Sequence, residues 1–159
     1  MPRAFLILPA LSLGLVLGLP AVAADQHAVF TPDTIKYEPA KPLPAGAMWS
    51  VLYGNPGEAG PFTVRVRFPA GYQVPAHWHS KDETVTVISG TFAIGTGDRV
   101  DRDKVQPLTT GGMAVLPANM PHYALIPQDA VVQINGVGPF DLNYVNPAED
   151  PRKQVGSSQ

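Results

Sequence analysis

Cysteine is absent from this 159-residue chain. That excludes a thiol nucleophile, a redox dithiol, a cysteine-rich zinc site and any disulfide staple, so stability has to come from a hydrophobic core. Charge is also scarce: 15% of residues are Asp, Glu, Lys or Arg, with 11 basic against 13 acidic side chains and no basic run. Nucleic acid and anionic membrane surfaces are therefore not the expected partners. Beyond the N-terminal segment, no stretch keeps a 3.6-residue apolar period for three turns, which argues against a helical domain. No Gly-x-Ser-x-Gly element occurs, so a serine nucleophile elbow is not expected.

The first residues differ from the rest. Arg3 supplies a positive start, FLILPALSLGLVLGLP (5–20) is an apolar run, and small residues precede a cut after Ala23 or Ala24. This pattern is that of a secretory signal peptide over residues 1–24, placing the functional part outside the cytoplasm, periplasmic or secreted. The alternative is an uncleaved anchor, but the run is short for a ~20-residue span and is interrupted by Pro9 and Pro20. After cleavage no membrane association is expected. The remaining chain of about 135 residues suffices for one domain with a real core and not for two. We divide it into an N-terminal arm (25–47), a β domain (48–146) and a C-terminal tail (147–159), the two ends being rich in proline and polar residues.

Along the chain, 15 glycines and 18 prolines act as punctuation between short apolar segments. FTVRVRF (62–68) alternates strictly, with Phe62, Val64, Val66 and Phe68 on one face and Thr63, Arg65 and Arg67 on the other. ETVTVISGTFAIG (83–95), Met113–Leu116, HYALI (122–126), AVVQINGV (130–137) and FDLNYV (140–145) continue the series, with PQD separating the fourth from the fifth. Many short strands with turn signals between them indicate an all-β sandwich or barrel.

Two of the four histidines fall in PAHWHSKDE (75–83). Residues two apart in a strand share a face, so His77 and His79 point together and Trp78 points away. SKD reads as a turn, and a hairpin there folds the Glu83 carboxylate back beside the imidazoles. Two imidazoles and a carboxylate suit Fe, Mn, Ni, Zn or Cu(II); an outward polar face with solvated histidines accounts for the same pattern. Glu83 shares parity with Val85 and Val87, and a carboxylate facing a core needs a strong partner.

GYQVPAHWHSKDETVTVISG (71–90) resembles the first motif of the cupin family, G-x5-H-x-H-x3-E-x6-G, at every specified position. GGMAVLPANMPHYALI (111–126) resembles the second, G-x5-P-x-G-x2-H-x3-N, through Gly111, Pro117 and His122. It departs at Asn119, where the family has glycine, and at Ile126, where it has asparagine. Asparagine tolerates positive φ better than most residues, and the family asparagine is not a metal ligand, so Ile126 questions only a supporting hydrogen bond. The resemblance implies a cupin-type double-stranded β-helix (jelly-roll) barrel. It also implies that His77, His79, Glu83 and His122 bind one divalent transition metal, and that a homodimer forms through outer strands.

Four protein ligands on an octahedral metal leave two positions open for a small-molecule substrate, water or dioxygen. The expectation is an exported mononuclear metal-binding cupin acting as a metal-dependent enzyme on a small organic molecule, of dioxygenase or isomerase/lyase type. The alternative is a non-catalytic module that binds or senses a metal or small ligand. No catalytic residue beyond the ligand set is evident. Tyr123, Phe92, Met113 and Gln133 are candidate cavity walls, with Tyr123 on the opposite side of its strand from His122. Arg65 and Arg67 are expected to be exposed. A cut after Ala24 would create an Asp25-Gln26-His27 terminus able to bind Cu(II) or Ni(II); a cut after Ala23 would not.

Overall fold

A computed structural model describes residues 27–154; the expected signal peptide and the residues preceding His27 lie outside the described part. The strands are β1 (Glu38–Pro39), β2 (Met48–Tyr53), β3 (Gly60–Phe68), β4 (Tyr72–Trp78), β5 (Glu83–Thr96), β6 (Gln106–Thr109), β7 (Met113–Leu116), β8 (His122–Gly138) and β9 (Asn143–Tyr144). All pairings are antiparallel, and the sheet curls into a jelly-roll barrel. Among the described residues no helix is long and apolar enough to cross a membrane.

The alternation read in 62–68 governs β3: Phe62, Val64, Val66 and Phe68 are all buried and Arg67 is exposed. Val85 and Val87 of β5 and Val132 of β8 meet them inside. Burying each such side chain contributes roughly 1.5–3 kcal/mol. Arg65 is only half-buried; its guanidinium donates to Gln133 Oε1 at 2.5 Å on the outer face. Arg67 lies over the Tyr37 ring at 3.8 Å.

Two sequence readings are corrected. HYALI and AVVQINGV are one strand, β8, that bends at Pro127–Asp129 without ending. Polar side chains take over where the regular ladder lapses: Gln128 Nε2 donates to Thr91 Oγ1 (3.0 Å) and Ala70 N–H to Asp129 Oδ1 (2.7 Å). The neighbouring strand bends at the same level. Gly90 has φ +79° there, and a Cβ would lie 2.1 Å from the Asp129 carbonyl oxygen. Second, β4 and β5 do not form a hairpin. β4 pairs with β8 and β9, and β5 with β6, β7 and β8. The SKD turn therefore carries the chain across the barrel, and Glu83 arrives from the opposite wall.

The ends are less peripheral than their composition suggests. Ile35, Ala40 and Ala47 are buried. The Tyr72 hydroxyl donates to the Pro44 carbonyl at 2.6 Å, and the Tyr144 hydroxyl to that of Pro42 at 2.8 Å. At the other end, Arg152 donates to both Asp150 carboxylate oxygens (2.7 and 2.9 Å) and to the Leu142 carbonyl (2.8 Å), docking residues 150–152 on the barrel.

Candidate metal centre

His77 near the end of β4, His79 just beyond it, Glu83 opening β5 and His122 opening β8 converge at one end of the barrel interior. Register explains this: His77 pairs with His122 across β4–β8, and Glu83 pairs with Leu116 and Gly136. All four residues are 4–6% exposed. The ring nitrogens of His77, His79 and His122 offer one atom each within 4.8 Å of one another. Glu83 Oε2 lies 3.4 Å from His79 Nε2 and 3.3 Å from His122 Nε2.

Each imidazole is oriented by a backbone carbonyl facing its other nitrogen. His77 Nδ1 lies 2.7 Å from the Pro75 oxygen, His79 Nδ1 2.5 Å from that of Asp141, and His122 Nδ1 2.9 Å from that of Met120. A carbonyl can only accept, so Nδ1 donates in all three rings and each neutral ring presents a bare Nε2 to the cluster. The Nε2 atoms of His79 and His122 are buried without a hydrogen-bond partner. Burial pushes the His77 imidazole down to about 3, reinforced by His122 and His79. Burial acts upward on the Glu83 carboxyl, but the facing His122 and His79 rings outweigh it and hold it below the usual range. For His79, burial acts downward and is outweighed by Glu83 and the Asp141 carbonyl, leaving it raised.

This donor set fits a divalent transition metal. Neutral imidazole lone pairs aimed at a buried carboxylate repel it unless a proton or a cation stands between them. One cation could satisfy the orphaned Nε2 atoms and the carboxylate together, and this mixture of nitrogen and oxygen donors suits Fe, Mn, Ni, Zn or Cu(II).

The centre forms the polar part of a cavity of about 400 Å³, otherwise walled mainly by aliphatic and aromatic side chains. Phe92 lines it as expected; Met113 does not, being 58% exposed. Gln133 is on the outer face. Tyr123 points away from the site and donates to the Asp101 carbonyl at 3.0 Å. Its ring occupies the space above Gly95, where a Cβ would sit 2.3 Å from it. Asn119 takes φ 62°, the conformation for which asparagine is suited, and its N–H donates to the His79 carbonyl at 2.7 Å. Ile126 is a core residue, 1% exposed.

The sequence reading missed residues 140–143. Phe140 stacks on His79 with centroids 4.2 Å apart and planes at 20°. Asp141 Oδ1 accepts from Ser80 N–H (2.7 Å) and Oγ (2.8 Å), while its Oδ2 accepts from Asn143 Nδ2 (2.6 Å). Pro42, Leu43 and Arg152 also reach the cavity. No local spacing signals these contacts, since they join segments far apart in the chain.

Residues 64–134 match the family described as "Cupin domain". The match identifies this segment as a cupin domain, and the jelly-roll fold around it agrees. No protein of curated function matches it in sequence. The polyketide cyclase RemF from Streptomyces resistomycificus has a similar fold (TM-score 0.66, 16% identity, 82% of this chain and 93% of that one). So does a protein proposed to be an acetylacetone dioxygenase from Methylibium petroleiphilum (0.60, 18%, 86% and 99%). A third is salicylate 1,2-dioxygenase from Pseudoaminobacter salicylatoxidans, solved with gentisate adducts (0.52, 15%, 62% and 29%).

Proposed function

We propose that this protein is an exported, mononuclear metal-dependent cupin enzyme acting on a small organic molecule, with His77, His79, Glu83 and His122 as the ligands of one divalent transition metal. One observation carries this reading: the unpartnered buried Nε2 atoms of His79 and His122 face the Glu83 carboxylate inside an apolar cavity. When bound, the metal would supply Lewis-acid or redox chemistry to a substrate at its open positions. The chain's own residues do the rest. Carbonyls of Pro75, Asp141 and Met120 keep the imidazoles in the ligating tautomer, and the apolar wall excludes water and strengthens electrostatic interactions inside. Structural neighbours that are a cyclase and a dioxygenase support enzymatic use of the fold without fixing the reaction.

Elemental analysis of purified protein beside His122→Ala tests the ligand set. We expect about one metal per chain in the wild type and its loss in the variant; unchanged metal content would overturn the assignment. Export is tested by sequencing the N-terminus of secreted or periplasmic protein, expected to start at Ala24 or Asp25.

One observation favours the second reading, a non-catalytic binding or sensing module. Among the described residues, the acidic or basic side chains on the cavity wall besides the four cluster residues are Asp141, hydrogen-bonded to Ser80, and Arg152, paired with Asp150, so neither is an evident general acid or base. Ligand exchange with consumption of substrate or oxygen by metal-loaded protein decides for the enzyme; a filled, inert site decides for the module.

A further inference from the structure

We propose that Arg152 is a specificity residue: the unused nitrogen of its guanidinium, at the cavity mouth, takes the carboxylate of a ligand whose apolar body fills the barrel. The protein then selects apolar or aromatic monocarboxylates over their neutral counterparts. The inference rests on the reading of the cavity as a small-molecule site, and it assigns the anion to a side chain outside the histidine–glutamate cluster.

Position comes first. Arg152 belongs to the short helix Pro151–Gln154 that follows the last strand, yet its side chain lines the same cavity of about 400 Å³ as the cluster. That side chain is 45% exposed, so it stands where the cavity opens to solvent. The guanidinium carbon lies 5.9 Å from the centre of the Tyr144 ring, and the Tyr144 hydroxyl holds Pro42 on the same wall. Among the described residues, Arg152 is the only Lys or Arg lining the cavity.

Its hydrogen bonds leave one nitrogen over. Nε donates to Asp150 Oδ1 (2.7 Å), and Nη2 donates to Asp150 Oδ2 (2.9 Å) and to the Leu142 carbonyl (2.8 Å). Nη1, with both its N–H donors, has no protein partner among the described residues. The Asp150 side chain is 7% exposed against 45% for Arg152, so the ion pair turns its cationic half outward. These bonds also fix the planar fork, and an acceptor arriving at Nη1 meets a donor already in place.

The ligand class follows from what surrounds that nitrogen. A neutral apolar group covering the mouth would leave Nη1 unpaired, and a cation would meet like charge. A carboxylate supplies both an acceptor and the opposite charge, and such charge-assisted bonds are the strong ones. Asp141 does not compete for Nη1, since its oxygens accept from Ser80 and Asn143. The rest of the wall is mainly apolar, with Trp49, Phe62, Phe68, Phe92 and Ile134 among its residues, which favours an apolar or aromatic body.

Calorimetric titration tests this with 3-phenylpropionate and 4-phenylbutyrate, each against its own primary amide, which has the same body and no charge. The readout is the ratio of acid to amide affinity, so a loosened tail that weakens both ligands alike does not count. In the wild type the acid is expected to bind at least about 10-fold more tightly than the amide, as one charge-assisted hydrogen bond supplies. Arg152→Gln is expected to bring the ratio to about 1. Asp150→Asn keeps an oxygen for the Arg152 backbone N–H and Nε (3.0 and 2.7 Å) but removes the opposing charge, and is expected to raise the ratio at least about 3-fold. A side chain that only docked the tail would change the ratio in neither variant. If acid and amide bind the wild type alike, if the ratio survives Arg152→Gln, or if it does not rise in Asp150→Asn, Arg152 does not read the anion, while the cavity stands as a ligand site. If no acid or amide binds, the small-molecule reading of the cavity fails and this assignment fails with it.

Discussion

His79 depends most on distant support. It lies past the end of β4, so the ladder does not hold it; the Asp141 carbonyl, the Phe140 ring and the grip of the Asp141 carboxylate on Ser80 do. Asp141→Ala removes that grip, and supporting groups of this kind are typically worth 10–100-fold in metal affinity. We expect a loss in that range for zinc, measured by competition with a chromophoric chelator, with little change in melting temperature. The buried imidazoles also set a pH profile for metal-stripped protein. His77 falls from 6.5 to about 3 on folding. Between those values the unfolded chain binds a proton the fold refuses, so stability drops as pH falls through this window. His79 is shifted the other way, so its contribution is full below 6.5 and is lost as pH rises through its raised value. Thermal melts of metal-stripped protein should therefore be highest near pH 6.5 and decline on both sides.

At the scale of elements, β5 and β8 are long strands that must bend together to close the barrel. Gly90 makes this possible by taking φ +79° directly against the Asp129 carbonyl. A methyl group there meets both an unfavourable backbone conformation and a backbone atom that cannot move aside. Gly90→Ala should cost on the order of 2–4 kcal/mol, read from denaturant midpoints at constant slope. The strand alternation and the pairing of His77 with His79 on one face were legible from spacing, because period-2 burial is a local property, whereas His122 entered only through the resemblance of residues 111–126 to the second cupin motif. The continuity of β8 was not legible, since Pro127 and Asp129 are ordinary strand breakers and the partners across this stretch, Thr91, Ala70 and Gly71 among them, come from distant segments. The same holds for the expected hairpin at SKD: a turn shows that the chain reverses, not which strand it then pairs with.

Across the whole molecule, the cavity is closed by segments outside the regular barrel. Pro42 and Leu43 from the N-terminal side and Arg152 from the C-terminal side line it, the former held by the Tyr72 and Tyr144 hydroxyls. The Tyr72→Phe/Tyr144→Phe double variant should lose about 1–3 kcal/mol of stability, at roughly 0.5–1.5 kcal/mol per hydrogen bond. Limited proteolysis should then cut within residues 27–47 faster than in the wild type.

What the sequence determined by itself was the alternation that makes a β barrel, the absence of thiol chemistry and a spaced histidine–glutamate pattern. Each depends on neighbours a few residues apart. Tertiary structure alone decided that Glu83 reaches the imidazoles from the opposite wall, that residues 140–143 clamp His79, and that the surrounding wall is mainly apolar. Those outcomes depend on which strands pair across the barrel, and pairing joins residues whose separation along the chain carries no local signal.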